Sequence, residues 1–213
     1  MQRTTGRVAG AARATVLGLA ALALAGGALA QEEDTQEKIR TSIETMVQAI
    51  EEGNDPMRNR MFFELRIIGN ESVPALVELM EDSRPKVREY AIHTVSYIDD
   101  ERWIDPVIEI LKNDPEPSTR AMACRALART QDTPVLSEAG RRAIPVLIGK
   151  LESTEEPEEV RMDAAFALGW YGASEARPQL EEAARSPSEL LSFFAKQALE
   201  DIEHAEGMRA RQN

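Results

Sequence analysis

Apolar residues recur along this chain at helical spacing, in units that repeat about every thirty residues. Aligned on a Val-Arg dipeptide, five segments share one register. They open at Met57-Arg58, Val87-Arg88, Thr119-Arg120, Val160-Arg161 and Leu191-Ser192, with spacings of 30, 32, 41 and 31 residues. Four residues on lies Met61, Ala91, Ala123, Ala164 or Ala195, and eight on lies Leu65, Val95, Leu127, Leu168 or Leu199. Apolar positions at i, i+4 and i+8 mark one face of a helix, here termed the B helix of each unit. A second amphipathic segment, the A helix, precedes it. Pro74, Pro106, Pro145 and Pro178 stand near the starts of four A helices, where a missing N–H costs nothing and a fixed φ favours entry. Pro56, Pro85, Pro115, Pro117, Pro157 and Pro187 fall in the A–B turns or the first turn of B. The remaining one, Pro134, marks an insertion around Gln131 to Gly140 that accounts for the 41-residue spacing. The pattern predicts an all-α chain of about five helical hairpins, each unable to bury its apolar flank without the next.

A charge pattern keeps the same register. Six residues before the B-helix arginine stands Glu52, Asp82, Asp114 or Glu155; in the fifth unit both positions are serine, Ser186 and Ser192. Joint loss of acid and base fits an ion-pair ladder between helices or repeats, because either charge left alone would carry a desolvation cost. A row of ligand-binding arginines is the alternative.

The phrase Val160-Arg161-Met162-Asp163-Ala164-Ala165-Phe166-Ala167-Leu168-Gly169-Trp170-Tyr171-Gly172, with its echoes and the A-helix prolines, resembles HEAT repeats of the phycobilisome-lyase HEAT-like variety. The resemblance covers about Thr41 to Glu203 and is strongest in the fourth unit. It implies a right-handed α-α superhelix, a HEAT-like solenoid with A helices outside and B helices lining the concave side. The repeat domain is assigned to 41–206, with 31–40 and 207–213 read as polar tails. Two enzyme families share this repeat. Deoxyhypusine hydroxylase binds two irons through His-Glu dipeptides; here His93 is followed by Thr94 and His204 by Ala205, so that motif is missing. The bilin lyases act on a tetrapyrrole in the cytosol of photosynthetic cells.

The first thirty residues point elsewhere. Arg3, Arg7 and Arg13 precede an apolar run, Val16 to Ala25, too short to span a bilayer, and Ala28-Leu29-Ala30 fits a small-x-small cleavage site. They read as a signal peptide cut after Ala30, which predicts a periplasmic or secreted protein with no membrane span. Gln31, not Cys, follows the cut, which argues against a lipid anchor. The full chain carries a net charge of −12. Three of its positive charges lie in that segment, so the remainder carries −15. Such a surface repels phosphate backbones and argues against nucleic acid as a partner. A single cysteine, Cys124, rules out an internal disulfide.

Candidate chemistry is sparse. Cys124 falls at a small helix-packing position with no histidine in its unit and reads as a buried inert thiol. His93 has only Glu89 as a helical companion, and the acids at Asp99 to Glu101 and Glu155 to Glu159 lack the spacing of a calcium loop. No metal, cofactor or catalytic residue is therefore expected. With phrase positions 1, 5, 8, 9 and 12 in the core, positions 3, 4, 7 and 11 should face the concave side. Seven of the ten aromatics occupy those slots. The rows at positions 7 and 11 supply Phe63, Ile67, His93, Tyr97, Arg125, Arg129, Phe166 and Trp170, residue types enriched in interfaces and hot spots. The expectation is an exported, non-catalytic interaction module that holds a partner peptide or helix in this groove. The alternative is an enzyme or maturation factor related to the bilin lyases. A purely structural envelope element, sticky on its convex face, is a third reading. Packing of the same rings between repeats is the competing explanation of the aromatic row.

Overall fold

Among the described residues the apolar periodicity resolves into five helical hairpins. A computed structural model describes residues 31–132 and 138–212. The first thirty residues, read above as a signal peptide, and Pro134 lie outside them. Helix α1 (31–51) pairs with α2 (Asp55–Ile68), α3 (Val73–Leu79) with α4 (Pro85–Val95) and α5 (Ile104–Asn113) with α6 (Pro117–Ala128). Helix α7 (Ile144–Glu152) pairs with α8 (Glu158–Trp170), and α9 (Arg177–Ala183) with α10 (Glu189–Gln212). Every regular element among the described residues is helical. Each A helix after the first opens with a short 3₁₀ turn, and Pro74, Pro145 and Pro178 occupy the first positions of α3, α7 and α9. Pro85 and Pro117 open α4 and α6.

The A–B turns share a device. Asp82 Oδ1 accepts a hydrogen bond from the Arg84 backbone N–H at 2.8 Å, and Asp114 Oδ1 accepts one from Glu116 N–H at 2.9 Å. In the last hairpin Ser186 Oγ does the same for Ser188 N–H at 3.2 Å. A short polar side chain bonding the backbone two residues on is a turn in itself. The serine therefore keeps the turn while giving up the charge.

Successive B helices pack more closely on one another than successive A helices do, which curves the stack with the B helices inside. The core runs continuously from Ile39 to Ile202. Trp103 is fully buried and its indole N–H reaches the Ile98 carbonyl at 3.2 Å. Tyr171 is buried between the third and fourth repeats, with its hydroxyl donating to the Leu127 carbonyl at 2.7 Å. Burial raises the Tyr171 hydroxyl to about 12. In α8, a Cβ on Gly169 would stand 2.7 Å from the Cα of Ala198 in α10, so only glycine allows that approach.

Three expectations need correction. The segment 31–40, expected to be a polar tail, is helical and buries Ile39; 207–212 continues α10. Positions 3, 6 and 10 of the B helices are also buried in the middle of the stack: Glu89 and Ile92 in α4 with Ser96 at its C-terminal cap, and Ala121, Cys124 and Ala128 in α6. The next repeat covers them, a face that intra-hairpin periodicity does not reveal. The last repeat has Lys196 and Glu200 exposed at positions 6 and 10, a polar cap on the stack. Finally, of the two forms expected for the charge ladder, between helices or between repeats, the structure has the second, and the aligned acid is not each arginine's carboxylate partner. Arg88 donates to the Asp82 carbonyl of its own repeat at 2.9 Å, but its carboxylate partner is Asp114 of the next. Arg120 likewise reaches the Asp114 carbonyl at 2.7 Å and pairs with Glu156, not Glu155, at 2.6 Å. Arg161 meets the serine unit and donates to the Leu151 carbonyl at 3.0 Å.

Candidate binding groove

Three neighbouring B helices bring six of the eight expected residues together. His93 and Tyr97 at the end of α4, Arg125 on α6 with Arg129 at its C-terminal cap, and Phe166 and Trp170 on α8 line one cleft of about 360 Å³, closed by Met122 and Ala126. The i, i+4 spacing of each pair puts both members on one helix face. Phe63 and Ile67 stand outside the cleft on α2, 55% and 85% exposed. Phe62 links them to it, although it lies outside the concave rows expected from the repeat phrase. Its ring lies 5.0 Å from Phe63, 5.1 Å from His93 and 5.2 Å from Tyr97. As position 6 of its repeat, Phe62 faces the next one.

At the other end Phe166 contacts Trp170 at 5.9 Å and crosses to Phe194 of α10 at 6.4 Å, which meets Phe193 at 5.6 Å. The rings therefore do pack between repeats, yet Trp170 and Phe193 remain 53% and 60% exposed. Two aromatic clusters thus flank a pair of arginines.

The arginines differ in setting. The Arg129 guanidinium lies 3.8 Å from the centre of the Tyr97 ring, a cation–π distance, and Arg66 approaches the same ring at 5.4 Å. Arg125 is held by Glu159 at 2.6 Å and Asp163 at 2.8 Å. Burial pushes the Asp163 carboxyl up, with Arg125 opposing. His93, half-buried, is pushed down by burial and by the nearby Arg129 and Arg58, so its neutral form is favoured. A neutral imidazole can accept as well as donate a hydrogen bond.

The family model of HEAT repeats matches residues 104–200, the stretch that supplies α5 to α8 and most of the last hairpin. That stretch, just under half of the chain, matches HEAT repeats, and the chain as a whole has the fold of a HEAT-like solenoid. No curated protein matches the sequence. Among solved structures, the complex of CpcE and CpcF of phycocyanin lyase from Nostoc sp. PCC7120 superposes with a TM-score of 0.63 at 21% identity, over 75% of this chain and 98% of that one. Kap121p gives 0.62 at 17% identity, over 80% of this chain and 21% of its own. A designed armadillo repeat protein gives 0.51 at 22% identity, over 68% of this chain and 69% of that one. At such identities these likenesses establish the fold.

The solenoid also locates the remaining chemistry. Cys124 is fully buried at the face covered by the next repeat, and burial pushes its thiol far above its ordinary value, which favours the unreactive protonated form. Asp100 caps a 3₁₀ turn by accepting from Arg102 N–H at 2.9 Å. Among the described residues no group of three or more His, Cys, Asp or Glu is placed to hold a metal ion. No helix among them is long and apolar enough to cross a membrane.

Proposed function

We propose that this HEAT-repeat solenoid is an exported protein-interaction module that holds a partner peptide or helix on its concave face. One observation carries the reading: exposed Trp170 continues into a 360 Å³ cleft walled by Phe166, Tyr97, His93 and two arginines. Exposed aromatics beside a concave, largely apolar cleft with a few polar groups are what a protein-binding hot spot requires. Export is supported by the arginine-flanked apolar run and the Ala28-Leu29-Ala30 site, and it places the partner in the periplasm or outside the cell.

Cross-linking mass spectrometry of the native protein in its own compartment tests this. Partner peptides should map to α4, α6 and α8. Phe166→Ala with Trp170→Ala should remove them, through a loss of about 2–4 kcal/mol typical of hot-spot truncation, with helicity unchanged. Unfolding of that variant would instead assign the rings to the core. A pigment or metal retained on purification would favour a maturation role related to the bilin lyases.

A further inference from the structure

The concave face has a charge direction. Its first helix, α2, presents Arg60, Phe63 and Ile67 at i, i+3 and i+7, all exposed, with Arg66 beside them. In this acidic protein most basic side chains on the repeats are tied to carboxylates, including Arg58, Arg84, Arg88, Arg120, Arg125 and Arg177. Arg60 and Arg66 make no ion pair among the described residues. The other end of the groove has the opposite sign. The concave positions 4, 7 and 11 of α8 and α10 are Asp163, Phe166, Trp170, Phe194, Gln197 and Asp201, with no base; Asp163 is mostly buried against Arg125, which leaves Asp201 to face a ligand. Arg125, the nearest cation, is already matched by both Glu159 and Asp163. Apolar anchoring surface is available at both ends, in Phe63 with Ile67 and in Trp170 with Phe193.

Resting on the interaction reading above, we infer that the groove takes a charge-polarised amphipathic segment. Its acidic end lies over Arg60 and Arg66 of α2, its apolar side chains enter the cleft between α4 and α8, and its basic end lies over Asp201 of α10. Opposite charges steer encounter and fix register, whereas the apolar anchors supply affinity. The reverse orientation would set like charges against each other at both ends.

The probe is a displayed library of random short peptides selected on the chain from Gln31 onward. Selected peptides should carry Asp or Glu toward one end, Lys or Arg toward the other, and apolar residues between. Arg60→Glu with Arg66→Glu, two exposed positions without ion pairs, should weaken them by about tenfold or more, and weaken them less at high salt, where screening is strong. Peptides with the two charged ends interchanged should not bind more weakly if the orientation is wrong. Selected peptides that bind both proteins equally would overturn the charge direction and leave the interaction reading standing. Selection of no peptide sensitive to Phe166→Ala with Trp170→Ala would overturn both.

Discussion

Arg88 in the second repeat holds both carboxylate oxygens of Asp114 in the third, with Nε–Oδ2 and Nη2–Oδ1 each at 2.7 Å. The two side chains are only 9% and 5% exposed. The same Asp114 Oδ1 also accepts the N–H that forms the turn into α6. One carboxylate thus closes its own hairpin and fastens the previous one. Removing either partner strands a buried charge, which costs about 3–5 kcal/mol. Arg88→Leu and Asp114→Asn should each lower stability in urea by several kcal/mol, and the double variant by clearly less than their sum. Simple additivity would show that the pair does not couple the repeats.

Asp82 provides a pH signature. Hydrogen bonding from the Arg84 side chain, outweighing burial, holds its carboxyl well down from 3.8, to about 2. The fold therefore favours the charged form. Its contribution is complete above the unfolded value near 3.8 and is lost as pH falls through about 2. Asp82→Asn keeps the turn acceptor and removes the titration. The stability gap between wild type and variant should shrink as pH is lowered across that window, followed by circular dichroism. A gap that stays constant would assign the effect to the hydrogen bond alone.

Two helical glycines should respond oppositely to alanine. A Cβ at Gly169 would press on Ala198 at 2.7 Å, whereas at Gly149 it would meet nothing within 4 Å. Alanine gains about 1 kcal/mol of helix propensity at either site, but overpacking costs about 1–3 kcal/mol. Gly149→Ala should raise the melting temperature and Gly169→Ala should lower it. Equal shifts would mean that α8 and α10 are not in this contact.

The two tryptophans separate core from groove. Trp103 is fully buried, so Trp103→Ala should cost about 3–5 kcal/mol. Trp170 is 53% exposed, so Trp170→Ala should cost about 1 kcal/mol or less. Urea titrations of both variants check this, and a large loss at Trp170 would make it a core residue.

The hairpins were legible because helix periodicity and proline placement are local. Pro74, Pro145 and Pro178 stand at helix starts for reasons that involve only their own φ and missing N–H. The ladder was legible as a pattern but not as a pairing. Sequence spacing aligned Asp82 with Arg88 and left open whether the ladder lay between helices or repeats, whereas the fold pairs Arg88 with the Asp114 carboxylate, since one repeat's arginine lies beside the next repeat's turn. Phe62 escaped for a related reason. A hairpin considered alone has no use for position 6, and only the neighbouring α4 gives that ring something to touch. Six of the concave residues followed from helical phase and do converge on one cleft; Phe63 and Ile67 share the phase but lie beyond its edge.

Covalent order alone determined that this chain makes stacked helical hairpins, because amphipathic periodicity and turn chemistry act within a few residues. Which surfaces those hairpins cover on one another, and so whether Cys124 is sealed and Trp170 is open, was decided only by tertiary packing. Burial of a B helix depends on the repeat beside it, roughly thirty residues away in the chain, and no local pattern carries that distance.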